Sequence, residues 1–207
     1  MLPVGGRPFL DRVIGWAARQ GLSRFILCTG YRGDEVRGYY ESSPRPGATI
    51  VFSQESSPLG TGGALGACRG LLKGDSALVM NGDSLCDLDL SSFADFHESR
   101  GGIASLAFIP PGDRVDGGFL EIGPNGRVSK FCEREPGPGR MLSAGIYILD
   151  REFWKLIGPG ASSIEKDVFP RALQRGVYAF PAGAPHHDIG TPRRLAELRL
   201  RCLALSF

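Results

Sequence analysis

The sequence predicts an α/β domain built on a parallel sheet, and three observations carry that expectation. Apolar runs of strand length recur at 24–30, 48–53 and 76–80, each too short for a buried helix. Helical stretches lie between them, the alternation that yields βαβ units. The third run stops at Asn81-Gly82-Asp83, a small-residue turn that presents a carboxylate where open α/β sheets bind ligands. The same three residues also fit an ordinary turn, so their partners elsewhere in the chain decide the matter.

Length and composition narrow the classes. A chain of 207 residues buries one sizeable core, and 42% hydrophobic with 22% charged residues is the balance of a globular domain. A formal net charge of +2, from scattered basic residues, gives no reason to expect nucleic acid or an anionic membrane as partner. Cysteines at 28, 68, 86, 132 and 202 form neither a CxxC pair nor a Cys/His metal spacing. They read as reduced, mostly buried thiols of a cytoplasmic protein. No apolar run approaches the roughly 20 residues that cross a bilayer, and no signal-peptide pattern is present.

In chain order, residues 1–6 are a glycine-containing lead-in. Phe9, Leu10, Val13, Ile14 and Ala17 then share one helical face before Gly21 at the C-cap. The strand 24–30 and a short helix 33–41 follow, then a Ser/Pro/Gly loop and the strand 48–53. Gly60, Gly62 and Gly63 open a helix reaching about residue 72. Either they let a backbone approach a ligand, with first-turn N–H groups facing an anion, or they let the helix pack tightly. After Asp83, Asp87-Leu88-Asp89 forms a literal DxD, the pattern by which some glycosyltransferases hold Mn²⁺. Its leucines alternate with the acids just before a helix at 91–100, so the structural reading, a helix N-terminus made by Ser91 and the preceding acids, is preferred.

A strand at 103–109, a polar loop at 110–116 and a hairpin of 119–122 with 128–132 on an Asn-Gly turn come next. A strand at 141–149 and a serine-capped helix from 162 to about 175 precede the strand 177–181. Asp188 stands in a turn before the last helix, which carries Pro192 early. Asp83 and Asp188 each follow a β-type run in a fold where strand ends converge. Two oxygen ligands plus substrate phosphates are the usual way a protein holds Mg²⁺. A glycine-rich turn, a loop cation and a carboxylate pair together suggest phosphoryl chemistry on a nucleotide.

The chain resembles the sugar-1-phosphate nucleotidylyltransferases. Matching segments are Met1-Leu2-Pro3-Val4 with Gly6-Arg7-Pro8-Phe9-Leu10, Pro58-Leu59-Gly60-Thr61-Gly62-Gly63-Ala64, Asn81-Gly82-Asp83 and Phe131-Cys132-Glu133-Arg134. Ser143-Ala144-Gly145-Ile146-Tyr147, Ser163-Ile164-Glu165-Lys166-Asp167 and Asp188-Ile189-Gly190-Thr191-Pro192 complete the ordered set, which covers nearly the whole chain. The resemblance implies a three-layer, Rossmann-like nucleotide-diphospho-sugar transferase fold with a mixed, mostly parallel sheet, and the making of an NDP-sugar and pyrophosphate from an NTP and a sugar 1-phosphate. Asp83 and Asp188 would hold Mg²⁺. Gly60 and its loop, with Leu59, Thr61 and Gly82, would face the nucleotide, with Gln54 and Glu55 as further candidates for reading the base. Glu133, Ser143 and Gly145 would meet the sugar. Arg134 and Lys166 would serve phosphate, although Lys166 fits a helix-surface lysine nearly as well. The Leu-Gly-Thr-Gly-Gly-Ala form resembles the branch making GDP-mannose-like or GDP-heptose-like products, which points to GTP. The family also suggests a homodimer.

Three departures stand out. Arg134 occupies a position where relatives carry Lys, and Ser143 one where they often carry Asn. The family's first strand and glycine-rich triphosphate loop precede the segment matched by Met1 to Leu10, so the expected domain lacks that strand and its two neighbours carry unpaired edges. A non-catalytic sugar-nucleotide-binding or subunit-interaction protein is the alternative expectation that follows.

Overall fold

The computed structural model describes residues 1–204. It opens with a two-residue hairpin, β1 (Pro3–Val4) against β2 (Arg7–Pro8), which turns at Gly5 and Gly6 where φ is positive. Helix α1 (Phe9–Arg19), strand β3 (Arg24–Thr29), helix α2 (Gly33–Ser42) and strand β4 (Thr49–Gln54) follow. Next come α3 (Gly60–Cys68), β5 (Ser76–Met80), β6 (Ser84–Asp87), α4 (Leu90–Arg100) and β7 (Ala104–Ile109). The hairpin β8 (Gly118–Ile122) and β9 (Val128–Glu133) leads to the long β10 (Met141–Asp150) and short α5 (Arg151–Trp154). The chain finishes with α6 (Phe169–Ala172), β11 (Val177–Pro181), β12 (Gly183–Asp188) and α7 (Pro192–Ala204).

The central sheet runs β11-β7-β10-β8-β9, with β5 on β10 as well. It is mixed, as expected, but its pairings are mostly antiparallel rather than mostly parallel. β10 runs antiparallel to β5, β7 and β8, and β8 to β9, while only β11 on β7 is parallel. The parallel pair β3 and β4 forms a ribbon of its own. Among the described residues β3 pairs only with β4, and β5 only with β10, so each keeps one edge without a ladder. That is why β5, an apolar run of the kind buried on both faces, is only half-buried.

β10 shows how the layers form. Tyr147 and Leu149 point into a cluster with Phe153, Trp154, Val168 and Phe169, while Ile146 and Ile148 point oppositely into one with Phe93, Phe119 and Leu142. Alternation with both faces apolar puts helices on both sides of the sheet. A third cluster joins Phe9 and Val13 of α1 to Leu195 and Leu198 of α7, fixing the last helix beside the first.

Several local expectations shift. The capping residue of α4 is Asp89, one of the acids expected at that N-terminus and two residues before Ser91; its carboxylate accepts from Ser92 N at 2.6 Å. That assigns Asp89 of the DxD to helix capping. The helix expected from 162 to 175 is a π turn at Ile164–Val168, the short α6 and a 3-10 turn at Leu173–Arg175, because Pro170 interrupts regular bonding. Asp188 ends a strand rather than sitting in a turn, and β12 pairs with β6, a stretch the sequence left unassigned. Cys68, Cys86 and Cys132 are buried free thiols as expected, whereas Cys28 is exposed. Cys202 lies outside the residues whose side chains are described.

Candidate active site

A turn and a strand end bring the carboxylates together. β5 ends at Met80, and Asn81 N donates to Gly145 O at 2.9 Å, tying the Asn-Gly-Asp turn to β10. Ile189 N donates to Asp83 O at 2.9 Å, tying the same turn to the end of β12. Asp83 Oδ2 and Asp188 Oδ1 consequently both lie 3.2 Å from where a side chain on Gly190 would begin. A residue larger than glycine would fill the space between them. The pairing expected from sequence is present in space.

Asp188 is held by Gly190 N at 2.7 Å and by Arg114 Nη2 at 3.0 Å, and Asp83 Oδ1 accepts from Ser84 Oγ at 3.0 Å. Beside Asp188 lies an open cavity of about 250 Å³, lined among others by Asn81, Arg114, Glu133, Ser143, Gly145 and Glu165. Glu133 ends β9 and aims into it. Lys166 Nζ stands 3.2 Å from Glu133 Oε2, yet off the hydrogen-bonding direction, so that oxygen remains an acceptor without a donor. A buried acceptor without a donor suits a ligand hydroxyl. Arg134, 77% exposed at its side chain and with φ at +56°, lies at the rim, as does Lys166 at 60%. His186 also lines the cavity, and burial pushes its imidazole down to about 4, so it is neutral at physiological pH.

A second cavity, of about 270 Å³, lies at the end of β3 and the start of α3. Thr29, Gly30, Glu55, Gly60 and Thr61 line it. Glu55 Oε2 accepts from Leu59 N at 3.0 Å, and Glu55 Oε1 lies 2.3 Å from the space a side chain on Gly30 would need. The Thr29 hydroxyl there has no partner. One hydrogen bond links the two cavities, from Thr61 Oγ1 to Glu165 Oε2 at 3.0 Å.

Not every candidate is at a cavity. Gln54 Nε2 donates to Asp34 on α2 at 3.1 Å, a side chain on Gly82 would meet Leu10 of α1 at 3.7 Å, and neither residue lines these two cavities. Leu59 contributes only its backbone. The N–H groups of Gly62 and Gly63 are not free for an anion, because both donate to Ser162 O, at 2.8 and 3.2 Å. Side chains on Gly60, Gly62 or Gly63 would come within 2.6 Å of residues 160–162, so these glycines serve tight packing. Gly60 alone, with φ at +67°, also lines the second cavity.

Residues that sequence reasoning passed over are Thr29, Asn81, Arg114, Asp116, Glu165 and His186. Arg114 and Asp116 lay in a loop legible only as polar, and Glu165 read as first-turn helix charge. A hydrogen-bonded Ser105, His97 and Asp150 set, at 2.9 and 3.0 Å, superficially resembles a nucleophile with its base. Ser105 is fully buried and borders neither cavity, so the set is a core hydrogen-bond relay.

The model of the nucleotidyl transferase family matches residues 1–203. The chain belongs to that family. Within it, the chain is 33% identical over 197 residues to mannose-1-phosphate guanylyltransferase of Mycobacterium tuberculosis, a match covering 93% of this chain and 55% of that protein. A mannose-1-phosphate guanyltransferase of Kluyveromyces lactis is 31% identical over 202 residues, with the same shares. This nucleotidyl transferase chain thus spans about half the length of the curated relatives it matches. Among solved structures, HddC from Yersinia pseudotuberculosis complexed with GMP-PN superposes with a TM-score of 0.85 at 26% identity, covering 97% of this chain and 88% of that one. A putative glucose-1-phosphate thymidylyltransferase from Bacillus anthracis shares the fold, with a TM-score of 0.81 at 22% identity. The α/β fold with a mixed sheet is therefore the family's. No helix of the described residues is long and apolar enough to cross a membrane.

Proposed function

We propose that this nucleotidyl transferase moves a guanylyl group from GTP to a hexose or heptose 1-phosphate. The observation that carries the reading is the convergence of Asp83 and Asp188 on Gly190 beside a cavity into which Glu133 presents an oxygen without an aligned hydrogen-bond donor, the exposed Lys166 ammonium lying 3.2 Å away. A sugar phosphate oxygen attacks the α-phosphorus, a new P–O bond forms, the α–β anhydride breaks, and pyrophosphate leaves.

Among the described residues no cluster of three metal-ligating side chains occurs. Two carboxylates are nonetheless the complement with which proteins hold Mg²⁺ when substrate phosphates supply further oxygens, so Asp83 and Asp188 fit that ion. The ion would neutralise charge on the transferring phosphoryl group. Glu133 accepts from sugar hydroxyls, Gly145 lets the chain run close to the sugar beside Ser143, and Arg134 and Lys166 bring positive charge to the rim. In the second cavity Glu55 is an acceptor-only group. Guanine offers N1–H and an N2 amino group side by side, two donors that a carboxylate accepts together. The relatives named for guanylyl transfer, and HddC with its guanine nucleotide, support the same base. Free thiols and phosphorylated substrates suit a cytoplasmic setting.

Pyrophosphate release with Mg²⁺, the four common NTPs and mannose 1-phosphate, glucose 1-phosphate or a heptose 1-phosphate tests the proposal. GTP with mannose 1-phosphate is expected to give the highest kcat/KM. No pyrophosphate from any pair would overturn it.

A further inference from the structure

Asp188 already has cationic partners of the protein's own. Arg114 Nη2 donates to Asp188 Oδ2 at 3.0 Å, and Arg194 Nε approaches Asp188 Oδ1 at 3.0 Å without hydrogen-bond alignment. Asp116 bridges both guanidinium groups, accepting from Arg114 Nε at 2.8 Å and from Arg194 Nη1 at 3.0 and 2.8 Å. With Asp83, three carboxylates face two guanidinium groups, so the cluster is one charge short of neutral. Asp188 Oδ1, the oxygen that converges with Asp83, already accepts from Gly190 N at 2.7 Å and faces Arg194 Nε, so a divalent cation that draws on Asp188 through Oδ2 needs the lone-pair side that Arg114 occupies.

Arg114 also lines the same cavity as Glu133 and Gly145. A guanidinium fork matches phosphate as well as carboxylate. Binding a divalent ion turns the cluster net positive, which favours an incoming phosphate. We propose that Arg114 is an exchangeable partner of Asp188: it occupies the carboxylate in the metal-free protein, gives it up to a divalent cation, and turns to the phosphate of the sugar substrate. Arg194 and Asp116 stay behind as the anchor. Cation and sugar phosphate then bind cooperatively through one residue of the loop between β7 and β8. The inference rests on the metal reading of Asp83 and Asp188.

Titrating the full chain with Mn²⁺ alone and following free Mn²⁺ by electron spin resonance tests it. Asp188→Asn should abolish binding. Arg114→Gln, which removes the competitor, should tighten Mn²⁺ roughly tenfold. Arg114→Lys keeps the charge but cannot fork between Asp116 and Asp188, so it should tighten Mn²⁺ in the same direction by a smaller factor, about threefold. That variant separates local competition from a general charge effect, and it carries the test if Arg114→Gln does not fold. Mannose 1-phosphate, titrated by calorimetry, should bind the wild type more tightly with Mn²⁺ than without, beyond any gain in Asp188→Asn, and Arg114→Gln should lose that gain. Wild-type Mn²⁺ affinity in a folded Arg114→Gln, an Arg114→Lys indistinguishable from wild type, or a gain kept by Arg114→Gln would overturn the exchange and leave the metal reading standing. Mn²⁺ binding that survives in Asp188→Asn would overturn both.

Discussion

Gly145→Ala puts two separate costs on one position. Gly145 sits in the bulge of β10, where the register with β7 shifts between Ser143 and Tyr147, and its φ is +72°. An L-residue there costs about 1–2 kcal/mol. The new methyl would also stand 2.5 Å from Asn81 Nδ2 and 2.8 Å from Asn81 Cγ, on a residue whose backbone is already bonded to Gly145 O. Forcing that side chain aside adds roughly 1–3 kcal/mol, the usual range for overpacking. The sum, about 2–5 kcal/mol, is a large share of a domain's stability of roughly 5–15 kcal/mol. With an m-value near 2 kcal/mol/M, the urea midpoint should fall by about 1–2.5 M. Asn81→Ala removes the two nearest atoms and leaves Asn81 Cβ at 3.2 Å, so in that background most of the steric part vanishes and about 1–2 kcal/mol of backbone cost remains. Equal costs in the two backgrounds, or a midpoint shift below about 0.2 M, would refute the reasoning.

Three further outcomes follow from the same geometry. Gly63→Ala should lower the thermal midpoint, because a side chain 2.5 Å from Gly160 O outweighs the roughly 1 kcal/mol of helix propensity gained, whereas Gly70→Ala, with nothing within 4 Å, should be neutral or stabilising. Glu55→Gln should cut kcat/KM for GTP roughly tenfold to a hundredfold and narrow the preference over other NTPs, read by pyrophosphate release; an unchanged base order would remove Glu55 from the base site. For Asp11, burial pushes the carboxyl up, but hydrogen bonds from Arg45 and Tyr39 outweigh it and hold it below the usual range. A depressed carboxylate contributes stability fully above its unfolded value near 3.8 and loses it as pH falls through the folded one, so urea unfolding should show an acid-side loss that Asp11→Asn lacks.

What the sequence discloses is the local part. β3, β4, β5, β7 and β11 were legible as apolar runs, and α1 and α7 as amphipathic helices, because each is fixed by its own residues. Strand direction was not. β10 reads like any other apolar run, and its antiparallel place between β5 and β7 is set by connections on both sides, not by its composition. The pair β6 and β12 was missed because Leu85 and Cys86 are two apolar positions among polar ones, too few to show a period. In the site, Asp83 is legible through the turn that holds it and Asp188 through the β-type run before it, while Glu133 and Gly145 show only through the family resemblance, and Arg114 and Asp116 depend on which loop folds over which strand end. The glycines of α3 show the limit of motif reading: their spacing fits anion binding and tight packing equally, and Ser162 O settles it by taking the N–H groups of Gly62 and Gly63.

The measurement closest to the central claim is pyrophosphate release from GTP and mannose 1-phosphate with Mg²⁺, comparing wild type with Asp83→Asn and Asp188→Asn, each verified as folded by its unfolding curve. If the two carboxylates together hold the ion that supports phosphoryl transfer, either change alone should lower kcat by at least about a hundredfold, and the double variant should be little worse than the poorer single one. Near wild-type turnover in either variant would contradict the account.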